Sequence, residues 1–278
     1  MFASRFAPSP SGYLHRGHAF SALTAARIAR DLGGRFILRI EDIDTERCRP
    51  EFEAAIHEDL AWLGLAWERP VRRQSEHLAD YQAALARLVD AGLVYRCFKT
   101  RREILDEIAR APHGPETPYR GAPLPADEEA RLLDQGAPFA WRLSLDAAKQ
   151  RLGPAWAGLD FTEDSGVQGV IAARPETAGD VILARKGLGV AYHLAVVVDD
   201  ALQEISHVVR GQDLFEATHT QRLLQALLGL ATPAYHHHRL LLGPDGKRFA
   251  KRDKAETLRR IRASGVSAAA LRAELGFS

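Results

Sequence analysis

The first 44 residues restrict the fold more than any other part of the chain. A short apolar opening ending at Phe6 runs into "APSPSGYLHRGH", a stretch rich in turn formers that closes on His15, Arg16, Gly17 and His18. "HAFSALTAARIARDLGG" follows, with Ala and Leu at helical spacing and a stop at Gly33 and Gly34, which suit a left-handed C-terminal cap. "RFILRI" then reads as a short buried strand ending in the acids Glu41, Asp42 and Asp44. Strand, turn, helix, strand is a βαβ unit, which is nearly always right-handed with parallel strands. In open α/β sheets ligands lie beyond the carboxyl ends of the strands. The His-Arg-Gly-His turn and Glu41 are therefore expected to border one crevice in an α/β fold.

The alternation continues. Pro50 suits the first turn of a helix whose apolar face is Phe52, Ile56, Leu60 and Leu63, and Leu78, Tyr81, Leu85 and Leu88 repeat the pattern up to Gly92. From "VYRCF" to about Lys186 it loosens: "RAPHGPETPYRGAPLP" holds five prolines, while "FAWRLSL" and "DVILARK" read as strands. This segment is expected to be an insertion that interrupts the parallel sheet. "AYHLAVVVDD" reads as a buried strand ending in acids, followed by "ISHVVRG" and the helix "HTQRLLQALLG". The expected organisation is a discontinuous catalytic unit at 1–95 and 187–255, an inserted subdomain at 96–186, and a short helical tail at 256–278. With 278 residues, 46% of them hydrophobic and 26% charged, a sizeable core is expected. No run approaches the ~18 apolar residues that span a bilayer, and no leader precedes the first strand, so a soluble cytoplasmic protein without membrane partners is expected. Two cysteines, Cys48 and Cys97, are too few for a disulfide framework.

Two motifs carry chemistry. A His-x-Gly-His turn at a helix N-terminus can hold anionic groups through backbone N–H groups and the helix dipole, with imidazoles as further donors and glycine leaving room for a base. The same histidines could equally be simple capping residues. Near the other end, "GPDGKRFAKRDKA" sets Lys247, Arg248, Lys251, Arg252 and Lys254 in a glycine-bearing loop. A solvated basic loop is one reading. A cationic loop that neutralises a leaving pyrophosphate is the other, and it makes the pair of motifs an ATP site.

Together the motifs resemble a known family. His15-Arg16-Gly17-His18 is similar to the HIGH signature, and "RFAKR" (Arg248 to Arg252) to the KMSKS signature, of class I aminoacyl-tRNA synthetases. "RFAPSPSGYLHRGH", "LRIEDIDTER", "AYHLAVVVDD" and "HVVRGQDLFEATHTQRLLQALLG" resemble the glutamyl-tRNA synthetase group over residues 4 to 256. The fold this implies is a Rossmann-like parallel sheet with a mixed α+β insertion, the class I synthetase catalytic core. Only 27 residues follow Lys251, where full glutamyl-tRNA synthetases carry an anticodon-binding portion. That resembles the glutamyl-queuosine tRNA(Asp) synthetase branch, a ligase that activates glutamate without tRNA and attaches it to queuosine in the anticodon of tRNA(Asp).

The resemblance implies roles. His15, Gly17, His18, Arg248 and Lys251 would bind ATP, with His15, His18 and Lys251 catalytic. Arg5, Ala7, Ser9, Glu41, Tyr192 and Arg210 would bind L-glutamate, two arginines against two carboxylates and Glu41 against the ammonium. Mg2+ would arrive with ATP, and a monomer is expected. The branch's zinc pattern is broken: Cys97-Phe98-Lys99 and Tyr119 offer one thiol where several ligands are needed, so no zinc is expected unless His113 rescues a site. His236, His237 and His238 would alternate faces on a strand and cannot converge on one metal. A truncated glutamyl-tRNA synthetase charging the 3′ end of tRNA(Glu), and a non-catalytic tRNA- or nucleotide-binding module, are the alternative readings.

Overall fold

The computed structural model describes residues 2–110, 118–165, 169–185, 189–241 and 256–277. β1 (Ala3–Phe6) and β2 (Arg35–Ile40) flank α1 (Arg16–Asp31) and pair in parallel, with Arg5 opposite Ile37. The helix buries Ala19, Ala22, Leu23, Ala25 and Ala29, small side chains that let it lie close to the sheet. It ends as expected: the Gly34 N–H donates to Ala29 O at 2.8 Å and the Gly33 N–H to Arg30 O at 3.0 Å, with Gly33 at φ +61°. α2 (Pro50–Trp62) leads into β3 (Glu68–Arg73), which extends the sheet in parallel to the order β1-β2-β3. α3 (Leu78–Asp90) buries Tyr81 and Leu88, but Leu78 is exposed at its first turn.

The chain then builds β4 (Val94–Cys97), α4 (Arg101–Arg110), α5 (Ala126–Asp134), β5 (Ala140–Leu143), α6 (Leu145–Leu152), β6 (Asp160–Glu163), β7 (Gly169–Ala172), β8 (Ile182–Arg185) and β9 (Gly189–Val190). β4-β5-β8-β9 form an antiparallel sheet, separate from the parallel β1-β2-β3. β6 and β7 depart from it, although they fall inside 96–186. They pair with each other, and β6 lies parallel to β11 (Ala234–His238) with Glu163 opposite Tyr235. The segment thus contributes to two sheets, and the division of the chain into units remains a proposal.

One reading needs correction. "AYHLAVVVDD" is not a strand; it lies in α7 (Tyr192–Leu202). Every residue from Leu194 to Asp200 is buried, so no polar face interrupts the apolar run. Without that period a buried helix and a buried strand look alike in sequence. β10 (His207–Gly211), α8 (Phe215–Leu228) and β11 complete the α/β pattern, β10 and β11 being parallel. β10 lies beside β1: Ser206 N–H donates to Ala3 O at 3.1 Å, and Ala3 N–H to Ser206 Oγ at 2.9 Å. The carboxyl ends of β1, β2 and β10 therefore open on one region.

α9 (Leu258–Ala263) and α10 (Ala268–Glu274) lie in the C-terminal segment. It is integrated with the first βαβ unit, because Leu258, Ile261, Leu271, Leu275 and Phe277 share one core with Leu14, Leu23, Leu38 and Leu60. Thr257 bridges His15, and the Leu258 N–H donates to Leu14 O at 2.8 Å. No helix among the described residues is long and apolar enough to cross a membrane.

Candidate active site

The His-Arg-Gly-His turn is built as a reciprocal cap on α1. His15 is the N-cap in extended conformation, and its Nδ1 accepts the Gly17 N–H at 3.1 Å. The His18 Nδ1 accepts the His15 N–H at 3.2 Å. In a neutral imidazole whose Nδ1 accepts, the ring proton sits on Nε2. The two rings pack against each other tilted by 35°, centroids 3.8 Å apart. A Cβ on Gly17 would stand 3.0 Å from the His15 ring carbon Cε1 and 3.1 Å from Nδ1, so any larger residue here would crowd the capping ring. The helix cap thus engages the Nδ1 edge of each ring through backbone N–H groups. Arg248 and Lys251 lie outside the described residues.

Glu41 follows the last residue of β2, and its N–H donates to Pro8 O at 3.1 Å, tying the opening turn to the strand end. Ser9, Glu41 and Tyr192 line a cleft of about 520 Å³ together with Gln74, Ile182, Arg185 and Gly189 to Ala191. The fold therefore brings these three expected residues into one cavity, walled on one side by the antiparallel sheet. Ala7, just beyond β1, is half-buried.

Behind Glu41 lies a charge cluster that sequence reasoning missed. Arg39, wholly buried, places NH1 2.9 Å from Asp200 Oδ1, NH2 3.2 Å from Glu41 Oε1 and Nε 3.6 Å from Asp199 Oδ2. Arg5, also buried, donates Nε to Asp200 Oδ1 at 2.9 Å and NH2 to Asp200 Oδ2 at 3.4 Å. Burial alone would raise the Asp200 pKa, but Arg5 and Arg39 outweigh it and hold the carboxyl below its usual range. For Glu41 burial wins and pushes the carboxyl up, against Arg39 and Arg5. Arg39 could have been found, since residues two apart share a strand face. Asp200 could not while α7 was read as a strand.

Arg210, near the end of β10, is in a different state. It is 5% exposed, and all its side-chain partners are neutral: NH1 donates to Gln221 Oε1 at 2.8 Å and to Tyr192 Oη at 3.4 Å, NH2 to Thr218 Oγ1 at 2.7 Å, and Nε to His237 Nε2 at 3.1 Å. His237 is neutral because burial, with Arg210 beside it, pushes its pKa down to about 4. Among the described residues no carboxylate pairs with this guanidinium. Arg5 is compensated by Asp200, while Arg210 is held at the edge of the cleft through Tyr192 with its charge unanswered. A buried arginine so arranged favours an anionic guest.

The three consecutive histidines do lie on a strand and take different partners. His236 Nδ1 is 2.8 Å from Asp164, His237 Nδ1 is 2.5 Å from Glu163, and His238 Nδ1 is 3.0 Å from Arg239 O. Cys97 is buried with Tyr95 and Ile104, its Sγ 3.9 Å from the Tyr119 hydroxyl, which is no tetrahedral zinc donor set. His113 lies outside the described residues. Among the described residues no three or more His, Cys, Asp or Glu side chains group as metal ligands do.

Comparison with known proteins decides the family. The class I tRNA synthetase (E and Q) catalytic domain matches residues 1–276. The chain belongs to this family. Among its relatives are the glutamyl-Q tRNA(Asp) synthetase of Rhodobacter capsulatus, 47% identical over 99% of both chains, and that of Nocardia farcinica, 44% identical over 95% of this chain and 80% of the other. Glutamate--tRNA ligase 2 of Dinoroseobacter shibae is 40% identical over 98% of this chain and 60% of its own. A crystal structure of a glutamate tRNA ligase from Elizabethkingia meningosepticum, in complex with its amino acid, superposes with a TM-score of 0.74 at 28% identity, over 91% of this chain and 52% of the other. The chain spans about half the length of that solved ligase. The expected α/β class I synthetase core is thus the fold of this ligase.

Proposed function

We propose that the protein activates L-glutamate with ATP, without needing tRNA, and transfers the glutamyl group to queuosine in the anticodon of tRNA(Asp). The observation that carries the choice of amino acid is Arg210, a buried guanidinium with neutral partners only. The α-carboxylate has to attack phosphorus and is poorly served by a tight bidentate pair that would damp its nucleophilicity. The side-chain carboxylate does not react, so Arg210 is its partner, with Tyr192 beside it. Glutamine would leave the buried charge unanswered, a mismatch that discriminates strongly. Glu41 takes the ammonium, Ser9 and Ala7 line the opening turn, and Arg5 supplies positive potential for the α-carboxylate from behind its Asp200 pair.

In the first step an α-carboxylate oxygen forms a bond to the α-phosphorus and the bond to the β-phosphate oxygen breaks, releasing pyrophosphate and leaving glutamyl-adenylate. The carboxylate is already ionised at neutral pH, so no general base is required. Catalysis is positioning and charge stabilisation. His15 and His18 donate Nε2–H to phosphate oxygens, Gly17 keeps the turn open, and Lys251 with Arg248 neutralises the pyrophosphate, magnesium arriving with the nucleotide. In the second step a hydroxyl of the queuosine ring attacks the acyl carbon and AMP leaves. The acceptor rests on similarity to relatives named glutamyl-Q tRNA(Asp) synthetase. Likeness to glutamate--tRNA ligases keeps 3′-end charging of tRNA(Glu) as the second reading.

One experiment separates them. Radiolabelled glutamate, ATP and magnesium are supplied with tRNA from cells that make queuosine and from cells that do not, each with and without the 3′-terminal adenosine. Label confined to the first pool and indifferent to loss of the adenosine supports queuosine as acceptor. Equal labelling of both pools, abolished by removing the adenosine, replaces it with 3′-end charging.

A further inference from the structure

Glu163 and His237 stand behind Arg210, outside every role assigned above. Glu163 ends β6, the strand from within the inserted segment that pairs with β11, and is 3% exposed. Its Oε1 accepts two backbone N–H groups, from His237 at 3.0 Å and from Ser165 at 3.2 Å. Burial raises its pKa, but these bonds and the His237 ring outweigh burial and keep it ionised. Oε2 is left to face His237 Nδ1 at 2.5 Å. A carboxylate only accepts, so Nδ1 carries the ring proton and Nε2 is bare. That bare nitrogen accepts Arg210 Nε–H at 3.1 Å and lies 3.2 Å from Thr218 Oγ1.

The chain of dependence runs from two backbone amides, through a carboxylate and an imidazole, to a guanidinium. We propose that Glu163 and His237 are positioning residues: by locking His237 in its Nδ1–H tautomer they make Nε2 an acceptor for Arg210 and so aim the guanidinium at the substrate's side-chain carboxylate. This rests on the reading of Arg210 given above. A neutral acceptor orients Arg210 without cancelling its charge, which an aspartate or glutamate in direct contact would do. Ring orientation by a second partner is how imidazoles are commonly set in functional sites. The arrangement makes the insertion's β6 part of amino-acid recognition, through a residue that does not touch the amino acid.

Glu163→Gln tests the tautomer directly. The two backbone donors hold the oxygen of the new amide at the Oε1 position, so its NH2 group faces His237 Nδ1. Nδ1 must then accept, the proton moves to Nε2, and Nε2–H confronts Arg210 Nε–H. His237→Gln keeps an acceptor for Arg210, and His237→Leu removes it. ATP–pyrophosphate exchange is measured with glutamate and with ATP varied, after thermal unfolding has shown each variant folded. We expect Glu163→Gln and His237→Leu to raise the KM for glutamate on the order of 10- to 100-fold, the usual weight of a hydrogen bond to a charged group. The KM for ATP and kcat stay within about threefold, because binding at a non-reacting carboxylate is equal in ground and transition states. His237→Gln restores the glutamate KM to within about fivefold of wild type. A glutamate KM unchanged in Glu163→Gln, or parallel losses in glutamate KM, ATP KM and kcat, overturns the positioning role. Wild-type protein that supports no glutamate-dependent exchange overturns the functional reading instead, before any variant is compared.

Discussion

Arg39 and Asp200 form a buried ion pair, NH1 to Oδ1 at 2.9 Å, that joins the end of β2 to the last turn of α7 and stands directly behind the candidate amino-acid site. Arg39 also holds Glu41 and approaches Asp199, so one guanidinium offsets three acids. Two acids at the C-terminal end of a helix work against its dipole, and the arginines of β1, β2 and β3 make them tolerable. Arg39→Met leaves those buried acids short of one cation. The expected loss is about 3–5 kcal/mol of unfolding free energy, the usual result of removing one partner of a buried pair. Denaturant unfolding at pH 7 measures it, and a loss under about 1 kcal/mol would show that the cluster is solvated.

The same cluster predicts a pH dependence. The Asp200 carboxyl lies below its usual range in the folded state, so the folded protein binds this proton less readily than the unfolded chain. Its contribution is fully present above the unfolded value near 3.9 and is lost as pH falls through the lower folded value. Unfolding free energy should therefore drop below about pH 4, and Asp200→Asn should flatten that part of the profile. A wild-type acid limb equally steep in Asp200→Asn would assign the transition to other carboxyls.

Asp59 gives the opposite sign. It is buried on α2, neither carboxyl oxygen has a hydrogen-bond partner among the described residues, and burial pushes its pKa up to about 6. The folded state now binds the proton more tightly, so stability is greatest below the unfolded value and is lost as pH rises from about 4 to about 6. Asp59→Leu should stabilise the protein by about 1–3 kcal/mol at pH 7, with the gain shrinking toward pH 4. Unfolding curves at pH 4 to 8 check this, and a gain independent of pH would point to apolar packing instead.

Gly17→Ala addresses the turn itself. The added methyl would stand 3.0 Å from the His15 ring carbon and 3.1 Å from Nδ1, so the ring must shift against the Gly17 N–H that it caps. The cap is worth about 1 kcal/mol, a small change in stability. The exchange rate should fall far more, by about 100-fold, because a preorganised phosphate donor is displaced. Comparable small losses in both would reduce His15 to a cap.

Much of this was legible in the sequence because it is periodic or local. The first βαβ unit, its glycine cap and the capping turn all depend on residues within a few positions of one another, and Ser9, Glu41 and Tyr192 do share a cleft. What was not legible depended on contacts distant in the chain. The continuous apolar run of α7 hides its period, and with it the pairing of Asp199 and Asp200 with β1 and β2. The sequence excluded a shared metal for His236, His237 and His238 but gave His237 no partner, because nothing local reveals Glu163, 74 residues away.

The tail supplies the last prediction. Residues 256–277 follow the segment that holds Lys251, and they are anchored at both the backbone and the core. Arg16 pairs with Glu256 at 3.0 Å and Glu274 at 2.9 Å, but these pairs are partly exposed and contribute little to stability. Leu258 is different, wholly buried beside Leu14 and hydrogen-bonded to it through the backbone. Leu258→Ala should cost about 2–5 kcal/mol, whereas Arg16→Ala should cost under about 1 kcal/mol. Because the Leu258 side chain shares a core with Leu14, one residue before His15, the Leu258→Ala protein should also lose exchange activity in conditions where it is still folded. Full activity in folded Leu258→Ala protein would show that the tail stabilises the first βαβ unit without setting the geometry of its turn.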